Sequence, residues 1–408
     1  MRKASLAETP STEPPPDAES PQARLLEAVS GLWASHGRGR MSARQTAALA
    51  GVTTSLINYH FGSFERLLEA SFRDLAERTQ AWWQSRLAEL DGVGRLDADA
   101  GGFVLASLID SLCTSERAVT FAWFECNAMA TRDPAFLPVA GAWHGVWRDA
   151  WTAVAAHVLP PEAADLLYPF ADGELCLHRI AWKPALDRAC LFETCATWVR
   201  MVTEGKTGPM ALRETLRKAC ENPAPVPWTD DSPEAAIALA AADIVGKSGI
   251  GGVTHRAVAA AAGLSLGVVS YHFPTAEGLV HAAFAAIYGQ IIGADQRPAQ
   301  PVPAEAYAAG VGRLVAHPDA QSNFLSLDEF TGAVARDPLL ARFGGTLRYT
   351  RGRTLSRTLT GLPSPLAGAL ISSSTNGLIR QARFVAQADR EAWAETLCLK
   401  LLRNVLKA

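Results

Sequence analysis

The sequence lacks any apolar run of the ~18–20 residues that a helix needs to span a bilayer. Its N-terminus offers Arg2 and Lys3 with no apolar stretch behind them. A membrane anchor and a secretory leader are therefore not expected, and a cytoplasmic protein is. The seven cysteines form no Cys-x-x-Cys pair, and most sit in apolar helical patterns, where buried free thiols are found. There is no Gly-x-Ser-x-Gly, no P-loop and no His-Glu-x-x-His, which removes the usual grounds for an enzyme. No cofactor is expected. No metal is expected either: Glu174 and His178 stand four apart with Cys176 between them, but such a pair reads more simply as a salt-bridged surface turn. Convincing period-two alternation is missing as well, so the expected class is all-α. A large excess of one charge is missing too. The 38 Lys and Arg against 41 Asp and Glu do not advertise nucleic-acid binding for the chain as a whole.

What the chain does have is a stretch that occurs twice: Gly51-Val-Thr-Thr-Ser-Leu-Ile-Asn-Tyr-His-Phe61 and Gly263-Leu-Ser-Leu-Gly-Val-Val-Ser-Tyr-His-Phe273. Each reads as the turn and second helix of a helix-turn-helix. The glycine suits a turn position with positive φ. The hydroxyl two residues on (Thr53, Ser265) suits an N-cap. Upstream, Ser42 to Ala50 and Thr254 to Ala262 each offer a cap and a short alanine-rich helix. The register holds without a gap well beyond these residues, from Ala28 and Ala240 through Arg44 and Arg256 to Phe72 and Phe284. An internal duplication is the simplest reading. Two short helices joined by such a turn place the second in the DNA major groove.

The later parts echo each other also. Glu125 lies seven residues before Arg132-Asp-Pro134, and Glu329 seven before Arg336-Asp-Pro338. The repeated unit is thus a head plus a helical body. The expected divisions are a disordered Pro-, Glu- and Ser-rich tail at 1–20, a head at 21–75, a body at 76–220, a proline-rich semi-rigid linker at 221–231, a second head at 232–285 and a second body at 286–408. Body helices are expected at about 103–116, 119–130, 134–158, 162–182 and 187–203, then at about 304–316, 320–333, 337–359, 364–386 and 389–406.

Within the heads, Val52, Ile57 and Phe61, with Leu264, Val269 and Phe273, are spaced to fill a small core. Left outward are Thr53, Thr54, Ser55, Leu56, Asn58 and Tyr59, and correspondingly Ser265, Leu266, Gly267, Val268, Ser270 and Tyr271. Hydroxyls, helix N-terminal amides, the two tyrosines, His60 and His272 suit phosphates. Asn58 could read a base edge, and Leu56 or Val268 a thymine methyl. Ser42, Arg44, Thr254 and Arg256 complete the candidate DNA-binding set.

The heads differ in charge. Between Pro21 and Arg66, five arginines (Arg24, Arg38, Arg40, Arg44, Arg66) stand against Glu27 and Glu65; between Ser232 and Gly278, Lys247 and Arg256 stand against Glu234, Asp243 and Glu277. The second head is expected to bind DNA more weakly. Eight of the eleven tryptophans fall between Trp82 and Trp198, and Trp143, Trp147 and Trp151 form a stripe on one helix face. Trp123, Trp143, Trp147, Trp151, His178 and Trp182 make a candidate pocket for an apolar or flat effector. Core or interface packing is the simpler reading of the stripe itself.

A three-helix head ending in Tyr-His-Phe, and a second copy reading Val253-Thr-His-Arg-Ala-Val-Ala-Ala-Ala-Ala-Gly-Leu-Ser, resembles the TetR family of bacterial transcriptional regulators. The likeness is specific over about 22–75 and 232–285. It implies a dimeric repressor with divergent helical ligand-binding bodies, in which the last two long helices of each body form a four-helix interface. Where that family usually has a phosphate-reaching lysine before the helix-four glutamate, this chain has Phe64 and Ala276. Two units in one chain would satisfy the dimer requirement internally. The expectation is a pseudo-twofold monomer on an imperfect palindromic operator, with half-sites ~34–36 Å apart, released by a small-molecule effector. A homodimer of the whole chain, or a sensing or scaffold protein whose heads have lost DNA affinity, are the alternatives.

Overall fold

A computed structural model describes residues 20–221, 228, 231–296, 300–317, 321–362, 364 and 366–406. The expected tail at 1–20 and linker at 221–231 lie almost wholly outside these. The chain is all-α, and among the described residues one isolated bridge joins Val302 and Leu359. The first head comprises α1 (Pro21–Ser35), α2 (Ala43–Leu49), α3 (Thr54–Phe61) and the start of α4 (Phe64–Ala88). Its body follows as α5 (Ala98–Thr114), α6 (Arg117–Arg132), α7 (Leu137–Val158), α8 (Leu167–His178) and α9 (Pro184–Glu204), then a short α10 (Ala211–Ala219) that the periodicity did not reveal. The second head is α11 (Pro233–Ser248), α12 (His255–Ala262), α13 (Leu266–His272) and the start of α14 (Ala276–Gln296). Its body is α15 (Ala304–Ala316), α16 (Ser322–Val334), α17 (Gly344–Tyr349), α18 (Arg353–Thr358), α19 (Ala367–Gln381) and α20 (Arg390–Leu406).

One expected helix, 337–359, is broken into a 3-10 turn at 338–343, α17 and α18. The chain turns at Gly352 with φ +80°, where a Cβ would lie 2.3 Å from the Gly368 backbone. The counterpart α7 has no such turn and runs unbroken.

Helix α1 buries Leu25, Val29, Leu32 and Trp33 against α4 and α6. Each such side chain taken from water is worth ~1.5–3 kcal/mol. Trp33 stacks on Phe72 at 4.6 Å and satisfies its indole N–H on the Ser71 hydroxyl at 3.0 Å. In the second head, α11 lies on α14 and α16 in the same manner.

The bodies meet most closely where α8 crosses α19. A Cβ on Gly173 would lie 2.0 Å from the Ser373 carbonyl oxygen, and one on Gly377 would lie 1.9 Å from that of Pro169. The backbones therefore touch, which only glycine permits. The two contacts are reciprocal: each unit presents its glycine to the residue that precedes the other's by four. Helix α20 also packs on α9. The first body and the helices α15, α19 and α20 share one continuous apolar core, whereas the second head forms a separate one.

Candidate nucleic-acid interface

In each head a glycine with positive φ, Gly51 (+63°) and Gly263 (+68°), makes the turn ahead of the third helix. Ser42 and Thr254 cap α2 and α12, accepting from the backbone N–H of Gln45 and Ala257 at 3.2 and 3.1 Å. Their hydroxyls are thus partly spent on the fold. Ser265 caps α13 through the Val268 N–H. Thr53 does not cap α3: its hydroxyl bonds that of Ser55 at 2.8 Å instead.

Ile57 and Val269 are buried, and Val52, Phe61, Leu264 and Phe273 pack half-buried against the cores. The outward face carries Thr53, Thr54, Ser55, Asn58, Ser265, Leu266, Gly267, Val268 and Ser270, all exposed. Leu56 is half-buried, which limits its reach to a base. Tyr59 and Tyr271 are each 81% exposed, so both third helices present the same aromatic to solvent. His60 and His272 are half-buried. His272 Nδ1 lies 2.8 Å from Glu234 at the start of α11, which diverts it from a phosphate role.

The arginines divide into two groups. Arg24, Arg44 and Arg66 in the first head and Arg256 in the second are exposed and form no ion pair among the described residues. Arg24 and Arg66 were missing from the sequence-derived set, although their charge had been counted. Arg38 lies 3.9 Å from Glu65, and Arg40 reaches across to Glu277 and Asp337 at 3.4 and 3.2 Å. Two of the first head's five arginines are therefore neutralised within the protein. The imbalance keeps its direction: three free guanidiniums against one.

The heads also touch one another. The turn at Arg38–Arg40 meets that at Ile250–Gly252, so that a Cβ on Gly39 would lie 3.1 Å from the Ile250 side chain. Beneath this contact each body holds the opposite head. Arg336 pairs with Glu125 at 2.8 Å and donates to the Trp33 carbonyl near the end of α1. Arg132 pairs with Glu329 at 2.6 Å, and its guanidinium lies 3.4 Å from the Val245 carbonyl near the end of α11. Burial pushes the Glu329 carboxyl up and the Arg336 guanidinium down from their ordinary values, with the partner charges opposing both. A cation on the last carbonyls of a helix also complements its dipole.

Residues 237–283 match the bacterial regulatory proteins of the tetR family. The chain carries a TetR-family DNA-binding head. The match falls on the second, less basic head, spanning α11 to the first turns of α14. No curated protein matches the chain. Among solved structures, a candidate transcriptional regulator, SCO7518 from Streptomyces coelicolor A3(2), is 27% identical, covering 43% of this chain and 96% of its own, at a TM-score of 0.33. Among the described residues no helix is long and apolar enough to cross a membrane.

The six residues expected to line an effector pocket do not come together around a space. Trp123, Trp143, Trp147 and Trp151 are at most 1% exposed and pack ring against ring, with Trp123 to Trp143 at 5.6 Å, Trp123 to Trp147 at 6.1 Å and Trp83 to Trp151 at 4.8 Å. Aromatic rings on α4, α6 and α7 fill the room a ligand would need. The stripe is core. His178 lies elsewhere, its Nε2 3.0 Å from Asp110 and its Nδ1 3.1 Å from the Arg348 guanidinium. Because Arg348 can only donate, Nδ1 accepts and the ring is neutral, in line with the burial that lowers its pKa. Trp182 is half-buried beside Tyr349 at 5.7 Å. Glu174 and His178 are not a surface turn either: Glu174 is buried and accepts from the Ser373 hydroxyl at 2.5 Å.

Proposed function

We propose that this chain is a TetR-like repressor in which both halves of the DNA-reading pair lie in one polypeptide. The carrying observation is the reciprocal tether, in which Arg336 and Arg132 each join one body to the other unit's head. Such mutual contacts are what a twofold interface between identical units produces. Here they occur between the echoed Glu125/Arg132 and Glu329/Arg336 pairs, as a tandem duplication would leave them. On this reading the domains are a head at 21–75, a body at 76–220, a head at 232–285 and a body at 286–408.

The third helices read the major groove through Asn58, Ser270 and the exposed apolar Leu266 and Val268. Tyr59, Tyr271, Thr53, Thr54, Ser55, Arg44 and Arg256 hold phosphates. Because α4 and α14 run from the heads into the bodies, a ligand that favours one body arrangement changes the head spacing and releases the operator. The test is selection from random duplexes followed by gel shift across a salt series. The expected product is an imperfect inverted repeat with half-sites one helical turn apart, ~34–36 Å, bound with a steep loss of affinity as salt rises. The single free arginine and the exposed Leu266 of the second head favour a second reading, in which only the first head grips DNA. Selection would then return a single half-site.

A further inference from the structure

A cavity of about 520 Å³ lies where the two heads and two bodies meet. That is within the ~300–1,000 Å³ of small-molecule clefts. Its walls come from all four parts: the turns at 37–40 and 248–251, the end of α6, and the end of α16. Its apolar lining comes from Met129 and Phe136 of the first body and from Val280 and Phe284 of α14. Its polar lining includes Arg38, Arg40, Glu65, Asp133 and Asp337 and the crossed pair of salt bridges, Arg132 to Glu329 and Arg336 to Glu125.

Behind those salt bridges is a second chamber of about 30 Å³, which shares Glu125, Ala128, Arg132, Glu329 and Arg336 with the first. Asn127 lines it, is 2% exposed, and has no hydrogen-bond partner for either amide atom. The Nε of Arg132 is also unpartnered. Each such buried orphan is costly to leave unmade unless something occupies the site. The chamber is short of negative charge as well. Arg179 and Arg383 line it, and among the described residues neither forms an ion pair. Arg179 instead lies over the Phe124 ring at 3.8 Å, and Arg383 donates to the carbonyls of Arg380 and Asn127. Burial holds Arg383 down to about 10. One water would satisfy an amide but would not balance a charge.

We propose that this head–body cavity binds an amphipathic monocarboxylate, with its apolar part against Met129, Phe136, Val280 and Phe284 and its carboxylate on Arg132, Arg336 and Asn127. A carboxylate there competes with Glu125 and Glu329 for the two arginines that tether the opposite heads. Binding therefore loosens the hold of Arg336 on Trp33 and of Arg132 on Val245, which frees the heads to change separation. This last step rests on the regulator reading above; the binding site does not.

The test uses the full chain and decanoate as the probe, below its micellar range, with decanol as the uncharged control. Titration calorimetry is expected to give one decanoate per chain, with decanol at least tenfold weaker. Asn127→Leu fills the inner chamber and removes the orphan amide, and is expected to weaken decanoate at least tenfold without lowering the melting temperature. Met129→Trp, which narrows the outer cavity, is expected to do the same. No saturable decanoate binding, equal binding of decanol, or undiminished binding by both variants overturns the site. Duplex gel shifts with and without decanoate separate the two readings. Decanoate bound with DNA affinity unchanged overturns the coupling. Decanoate bound by a chain with no DNA affinity at all overturns the regulator reading and supports the site. Release of DNA by decanoate, abolished by Asn127→Leu, supports both.

Discussion

Arg336 and Glu125 lie 2.8 Å apart with their side chains 8% and 13% exposed, although they belong to opposite halves of the chain. The guanidinium also binds the Trp33 carbonyl at 2.9 Å, and Glu125 accepts from the Arg38 backbone N–H at 3.1 Å. One pair thus joins the second body to the first body and the first head. Truncating one partner of such a pair strands the other charge without water or a counter-ion. Arg336→Ala is expected to cost ~3–5 kcal/mol. Arg132→Ala, its reciprocal, should cost a similar amount. Urea denaturation followed by circular dichroism checks both, and a loss under 1 kcal/mol in either would show that the tether is slack.

The crossing of α8 on α19 has no room for a methyl group. Gly173→Ala and Gly377→Ala would each drive a Cβ to about 2 Å from a carbonyl oxygen. Overpacking of this kind is expected to cost at least ~1–3 kcal/mol. Gly141→Ala, whose Cβ meets nothing within 4 Å, is the control and should be neutral or stabilising. Melting temperatures of the three variants make the comparison.

In the heads, charge decides which contacts matter most. Arg44 and Arg256 are both exposed and form no ion pair among the described residues, but only Arg44 shares its head with two further such arginines, Arg24 and Arg66. Arg44→Ala and Tyr59→Ala should weaken operator binding more than Arg256→Ala and Tyr271→Ala. Each lost phosphate contact lowers the slope of log affinity against log salt by ~1. Gel shifts with equal losses in the two heads would contradict the ranking.

His144 supplies a pH dependence. It is stacked on Phe384 of the second body at 4.3 Å, with Nδ1 3.2 Å from the Tyr168 hydroxyl. Burial lowers its pKa from 6.5 to about 4, with Arg148 and Arg383 adding to the effect and Asp149 opposing it. The unfolded chain takes up a proton there that the folded protein refuses. Its contribution is therefore complete above about 6.5 and is lost as pH falls through about 4, on the order of 3 kcal/mol. His144→Phe should flatten the denaturation midpoint over that window, and an unaltered profile would assign the acid sensitivity elsewhere.

The heads were legible in the sequence because their determinants are local: a glycine at the turn, a hydroxyl cap and an apolar residue at Ile57 or Val269. The Glu125 and Arg132-Asp-Pro echo was visible too, but only as a repeat. That Arg132 pairs with Glu329 rather than with Glu125 depends on how the halves pack, which no local pattern encodes. The same limit applied to the tryptophans. A stripe at Trp143, Trp147 and Trp151 fixes one helix face and leaves open whether that face meets a ligand or, as here, Trp83 and Trp123. Helix 337–359 failed for a related reason, since its break at Gly352 follows from the close approach of Gly368.

Whether one chain holds both reading helices for one operator is tested most directly by the mass of the complex. Sedimentation equilibrium or native mass spectrometry of the 43.5 kDa chain with a selected duplex should give one chain per operator. Protection should cover both half-sites. Two chains per operator, with a single chain protecting neither half-site, would contradict the proposal that the pair is complete within one polypeptide.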